Sequence, residues 1–92
     1  MADTDPVPIT DENAVAHAIA AAIHDIAKQD LPGHGREIVH LWLTRPASVV
    51  RASVVYAKAR NTGKTEREAV RDAALDLVGN YRFQHNLRLP PQ

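Results

Sequence analysis

The sequence predicts an all-α protein, a small bundle of three or four helices. Two segments carry this prediction, residues 11–29 and 65–80, because apolar residues recur in each at intervals of three or four positions. The second segment also begins with a capping box, in which Thr65 and Glu68 satisfy each other's free backbone donors. In the first segment the apolar stripe is formed by Val15, Ile19, Ala22, Ile23 and Ile26.

The 92 residues are enough for one domain with one core. Residues 1–9 combine prolines with aspartates, which predicts a flexible acidic arm. Residues 10–82 form the single helical domain, with Thr10 as the expected cap of the first helix. Residues 83–92 are expected to be an extended C-terminal tail. Position 79 is a glycine, so the last helix either ends there or continues through it.

The segment between the two firm helices leaves two interpretations open. Residues 37–44 fit either a helix or one short strand, because apolar residues match both the helical and the alternating pattern. From Pro46 onward a second strand is possible, because the tandem repeat ASVV is rich in valine, but we favour a helix. Val50, Val54 and Ala57 would share one face of it.

No pattern of catalytic or metal-binding residues stands out, so we expect neither an enzyme nor a bound metal or cofactor. The chain has no cysteine, and none of its five histidines lies four positions from another, the spacing of helical metal ligands. Neither a nucleophile beside a base nor an inward-facing pair of carboxylates can be identified. Without a signal-like N-terminus or a long apolar run, we expect a cytoplasmic protein that does not enter the membrane.

The composition predicts a thin core. Fifteen of the hydrophobic residues are alanines, which remove little apolar area from water. We therefore expect burial to be completed by another protein chain, either a second copy or a subunit of a larger complex. The preferred function is a non-catalytic regulatory or accessory protein. The predicted partner-binding residues are aromatic or aliphatic: Trp42, Tyr81, Phe83 and Leu87.

The alternative function is nucleic-acid binding. Residues 36–64 carry six bases against one acid, and five of the bases are candidate phosphate contacts: Arg45, Arg51, Lys58, Arg60 and Lys64. A strand, a helix from Pro46 and then the sequence NTGKTEREAV follow one another over residues 38–78. This order resembles ribbon-helix-helix repressors and antitoxins. The resemblance implies a DNA-binding transcriptional regulator or antitoxin that dimerises through its strand.

Overall fold

The computed structural model describes residues 12–85, and these fold into four α-helices. The helices are α1 Glu12–Asp30, α2 Gly35–Thr44, α3 Pro46–Asn61 and α4 Glu66–Gln84. The predicted all-α bundle is therefore confirmed. None of the described helices combines the length and the hydropathy of a membrane span. The predicted acidic arm, the Thr10 cap, and positions 86–92 of the predicted tail, including Leu87, lie outside the described residues.

The short strand considered near residues 37–44 is wrong, because this segment is α2. Ile38 and Trp42, four residues apart on one helical face, are both buried. A strand would instead have placed Val39, Leu41 and Leu43 on one side, and Leu43 is 54% exposed. The rest of residues 12–85 offers no second strand for pairing. A lone strand would leave its backbone donors and acceptors unpaired, whereas a helix satisfies them internally.

The last helix is longer than the sequence predicted. It begins with the expected capping box: the Thr65 hydroxyl accepts from the Glu68 amide at 3.1 Å, and the Thr65 amide donates to the Glu68 carboxylate at 2.9 Å. It then continues through Gly79 to Gln84. Phe83, assigned from the sequence to the extended tail, therefore belongs to the last turn of α4.

Helix α4 is the centre of the bundle. It packs against both α1 and α3, and α2 contacts all three of the other helices. The core is rich in small side chains: six of its sixteen buried hydrophobic residues are alanines, and Ala69, Ala73 and Ala74 of α4 have no exposed area. Alanines allow helix backbones to approach closely but contribute little apolar area per residue. Alanine, frequent in the composition, is thus also frequent in the core of the described residues.

Candidate protein-binding groove

An open apolar groove separates α1 from α3. Both helices pack against α4, but no Cα atom of one comes within 8 Å of a Cα atom of the other. The gap between them has a volume of about 300 Å³. Val15 and Ile19 line the α1 side, Val49 and Tyr56 line the α3 side, and Trp42 of α2 lies against the same space. Clefts lined mainly by apolar side chains are the usual form of a binding site.

Four large aliphatic side chains of α2 and α3 stand exposed. We call them the aliphatic surface: Leu43, Val49, Val50 and Val54, each between 38% and 61% exposed. Leu43 and Val49 line the groove, whereas Val50 and Val54 do not line it and lie on the side of α3 opposite the buried Ala52. Val50 and Val54 lie one turn apart on α3, and Ala57, one further turn along the same face, is exposed as well. The face of α3 formed by Val50, Val54 and Ala57 was correctly predicted as one stripe, but it points outward.

Two hydrogen-bond donors of the groove residues have no partner. The indole Nε1 of Trp42 and the hydroxyl of Tyr56 are both buried, and neither atom forms a hydrogen bond within the described part of the chain. Each such atom costs folding about 1–3 kcal/mol, the desolvation penalty of an unsatisfied polar group. Both residues with an unsatisfied donor therefore belong to the lining of the apolar groove.

The two tyrosines of the chain, Tyr56 and Tyr81, allow a matched test. Tyr56→Phe removes a hydroxyl that has no partner, so we expect the free energy of unfolding to stay the same or rise by up to about 1 kcal/mol. Tyr81→Phe removes a hydroxyl hydrogen-bonded to His34 Nδ1 at 3.0 Å, and we expect a loss of about 1 kcal/mol. Urea unfolding followed by circular dichroism measures both. Equal losses in the two variants would show that the Tyr56 hydroxyl is satisfied in solution.

The structure separates the predicted partner-binding aromatics into buried and exposed residues. Trp42 and Tyr81 are both 5% exposed and belong to the core. The Tyr81 ring also stacks on His85 with 4.1 Å between ring centroids, and burial, followed by the nearby Glu37 carboxylate, raises the pKa of Tyr81 above its ordinary value. Phe83 is 84% exposed and is available to a partner. Trp42 is buried, but it is also one of the residues that line the groove.

The predicted basic cluster is largely occupied by contacts inside the molecule. Arg51 binds both carboxylate oxygens of Asp76, at 2.6 and 3.1 Å, and its pKa is raised by this hydrogen bond and charge. Lys64 binds Asp72 at 2.6 Å, which likewise raises its pKa. The other two polar contacts of the cluster are neutral: Arg45 donates to the Gln84 side-chain oxygen, and Arg60 donates to the Lys64 carbonyl. Lys58 is exposed and forms no ion pair with a described residue.

The strand on which the ribbon-helix-helix resemblance depends is a helix, α2, so the resemblance loses its dimerisation element. Nor do any three histidine, aspartate or glutamate side chains between residues 12 and 85 come together in a group that could hold a metal ion. Comparison of the chain with protein-family models, with curated proteins and with solved structures finds no match. The candidate site therefore rests on its own geometry.

Sequence reasoning identified Val15, Ile19 and Trp42 of the groove but missed Leu43, Val49 and Tyr56. A signal for Val49 was present in the ASVV repeat, at residues 47–50 and 52–55. Its four valines are spread over more than half of the circumference of a helix at about 100° per residue. One core cannot cover all of them, so some had to face outward.

Proposed function

We propose that this chain is a cytoplasmic, non-catalytic regulatory or accessory protein that acts by binding another protein chain. The observation that carries the proposal is the apolar groove between α1 and α3, with Leu43 and Val49 exposed in its lining. Contiguous exposed apolar patches commonly mark interaction sites, whereas single exposed aliphatic residues do not. Here two exposed aliphatic residues line one groove together with Val15, Ile19 and Tyr56.

The shape of the site favours a helical partner segment. An amphipathic helix lays its apolar face into a hydrophobic groove and presents residues at intervals of three and four positions. Two packed helices approach to about 8–10 Å between their axes, so a helix can fill a gap left between two others. Val49 and Tyr56, two turns apart on α3, line the wall of the groove that such a helix would contact.

A neutral model peptide tests this proposal. The probe is a designed amphipathic helix with leucines on one face and glutamines on its edges, and Trp42, the only tryptophan, reports binding by its fluorescence. We expect saturable binding to the native chain. The double variant Leu43→Ser, Val49→Ser should bind about tenfold more weakly, because these exposed groove residues would no longer bury apolar side chains against the peptide.

Leu75→Ser is the matched control, since Leu75 is an exposed aliphatic residue of α4 that does not line the groove. It should bind the peptide as the native chain does. Circular dichroism should show all variants folded, because exposed substitutions usually change stability by less than about 0.5 kcal/mol. No saturable binding, or equal binding by the double variant, would contradict the proposed function.

A further inference from the structure

The first turn of α1 lies at the same end of the bundle as the last turn of α3. Helix α1 runs parallel to α4, because Asp30 at its end forms an ion pair with Arg82 in the last turn of α4 at 3.5 Å, and the first turns of α4 line a cleft with earlier turns of α1. Helix α3 runs antiparallel to α4, since Arg45 at its start donates to Gln84 at the end of α4. Residues 1–11, which precede α1, therefore join the bundle where α3 ends.

The segment before α1 is long enough to reach the groove. An extended chain spans at most about 3.6 Å per residue, so Ile9 lies within about 11 Å of Glu12 and Val7 within about 18 Å. A helix rises 1.5 Å per residue, so Val15 and Ile19, which line the α1 side of the groove, lie about 5 and 11 Å along the axis from Glu12. A segment that turns back before the helix can therefore lie along both wall residues.

The apolar part of this segment matches the lining of the groove. Every described residue that lines the groove is uncharged, and so are Val7, Pro8 and Ile9. A residue before proline favours extended backbone, in which side chains two positions apart point to the same side. Extended proline-containing segments commonly dock in grooves lined by aromatic residues, and this groove contains Trp42 and Tyr56.

A base stands where the groove meets the end of α3. Arg60 follows Tyr56 by one turn on the same face of the helix, so it continues the α3 wall toward the start of α1. It is exposed, donates to the Lys64 carbonyl and forms no ion pair with a described residue. The segment before α1 has no basic side chain and carries three acids: Asp3, Asp5 and Asp11. Its charge is thus complementary to the base at this end of the groove.

We propose that residues 1–11 fold back into the groove between α1 and α3, with Val7 and Ile9 against its apolar walls and a carboxylate of the segment beside Arg60. The inference rests on the proposed function, because it names how that site is regulated: a partner must displace the segment. A tethered segment competes at an effective concentration in the millimolar range, so even weak docking closes most of the sites.

Binding of the neutral amphipathic peptide to the full chain tests this regulation. Val7→Ser with Ile9→Ser should tighten binding about tenfold, the change expected when only about one tenth of the native chain is open. Arg60→Glu should also tighten it, because the new carboxylate repels the acids of the segment. Leu87→Ser with Leu89→Ser is the matched control, since it changes two aliphatic residues of the same spacing near the other end of the chain. It should leave binding unchanged.

A disulfide trap locates the segment directly. The chain has no cysteine, so Val7→Cys with Ser53→Cys introduces a single possible pair. Ser53 is exposed in the groove lining, whereas Val54 points about 100° away from it and does not line the groove. A disulfide requires Cα atoms within about 7 Å, so the intramolecular bond should form about tenfold faster in this variant than in Val7→Cys with Val54→Cys.

The possible failures are distinguishable. Unchanged peptide binding and equal disulfide rates, with binding still weakened by Leu43→Ser, Val49→Ser, would overturn the inference and leave the proposed function intact. Faster trapping in the groove without any peptide binding would confirm the docked segment and contradict the proposed function. Tighter binding by the control at Leu87 and Leu89 would identify the C-terminal residues as the occupant. A mass in light scattering that doubles with concentration, unless Leu43 and Val49 are replaced, would identify a second copy. Either of the last two results would overturn the inference.

Discussion

Replacing Ile23 by Ala is expected to lower the free energy of unfolding by about 2–5 kcal/mol. Ile23 has no exposed area and is, with Val78, one of the two largest fully buried side chains of the described chain. The substitution removes apolar area from the core and leaves a cavity that the neighbouring helices fill only in part. A domain of this size has a total stability of about 5–14 kcal/mol, so the variant should be close to unfolding.

Urea unfolding followed by circular dichroism and by Trp42 fluorescence measures the change. Val50→Ala is the control, because Val50 is a large aliphatic residue that stands mostly exposed on α3. Its effect should stay within about 0.5 kcal/mol. If the two substitutions lowered the midpoint of unfolding equally, Ile23 would not lie in the core and the assignment of the faces of α1 would be wrong.

The sequence was sufficient for the two long helices. The apolar stripe of α1 runs through Ile19, Ile23 and Ile26, and all three residues are buried. Each stripe extends over several turns, so no strand could produce the same spacing. The start of α4 could also be predicted from the sequence, because the capping box is a local arrangement of Thr65 and Glu68 that depends on no other part of the chain.

The middle of the chain could not be predicted in the same way. Over residues 37–44 the apolar pattern satisfies a helix and a strand equally, and the choice depends on whether a second strand is present for pairing. Among the described residues there is none, and Ile38 and Trp42 face the core from a helix. This information is tertiary, so it is absent from the segment itself.

The inward face of α3 is the other feature that sequence patterns did not reveal. The large apolar side chains of Val50 and Val54 predicted that these residues face the core. The buried residues of this helix are instead Ala52 and Ala59. Three core positions of α4, Ala69, Ala73 and Ala74, are alanines as well, so the packed faces of both helices consist largely of small side chains. Side-chain volume on one helix thus decides which face of another can be buried, and a single helix does not contain that information.

Two candidate site residues of α4, Tyr81 and Phe83, differ in exposure although both were predicted to bind a partner. Tyr81 and Phe83 lie two positions apart and were predicted as partners in one surface. Two residues on a helix correspond to a rotation of about 200°, so they point in nearly opposite directions. Tyr81 is buried and Phe83 is exposed, because α4 continues past Gly79 instead of giving way to a tail.

Close packing through alanine makes a second large effect testable. Ala74 has no exposed area and belongs to the face of α4 that packs on its neighbours, so Ala74→Leu inserts three carbon atoms where no space exists. We expect the free energy of unfolding to fall by about 1–3 kcal/mol, because added volume in a packed core forces strained rotamers and backbone shifts. Thermal and urea unfolding both measure this loss.

Ala57→Leu provides the matched control for the overpacking experiment. It makes the same chemical change at an exposed alanine in the interior of α3, where the added side chain meets solvent. Its effect on stability should be within about 0.5 kcal/mol. If Ala74→Leu were instead as stable as the native chain, the helices would have room to separate. The gap between α1 and α3 would then be adjustable in width, and the alanines of α4 would not fix the geometry of the groove.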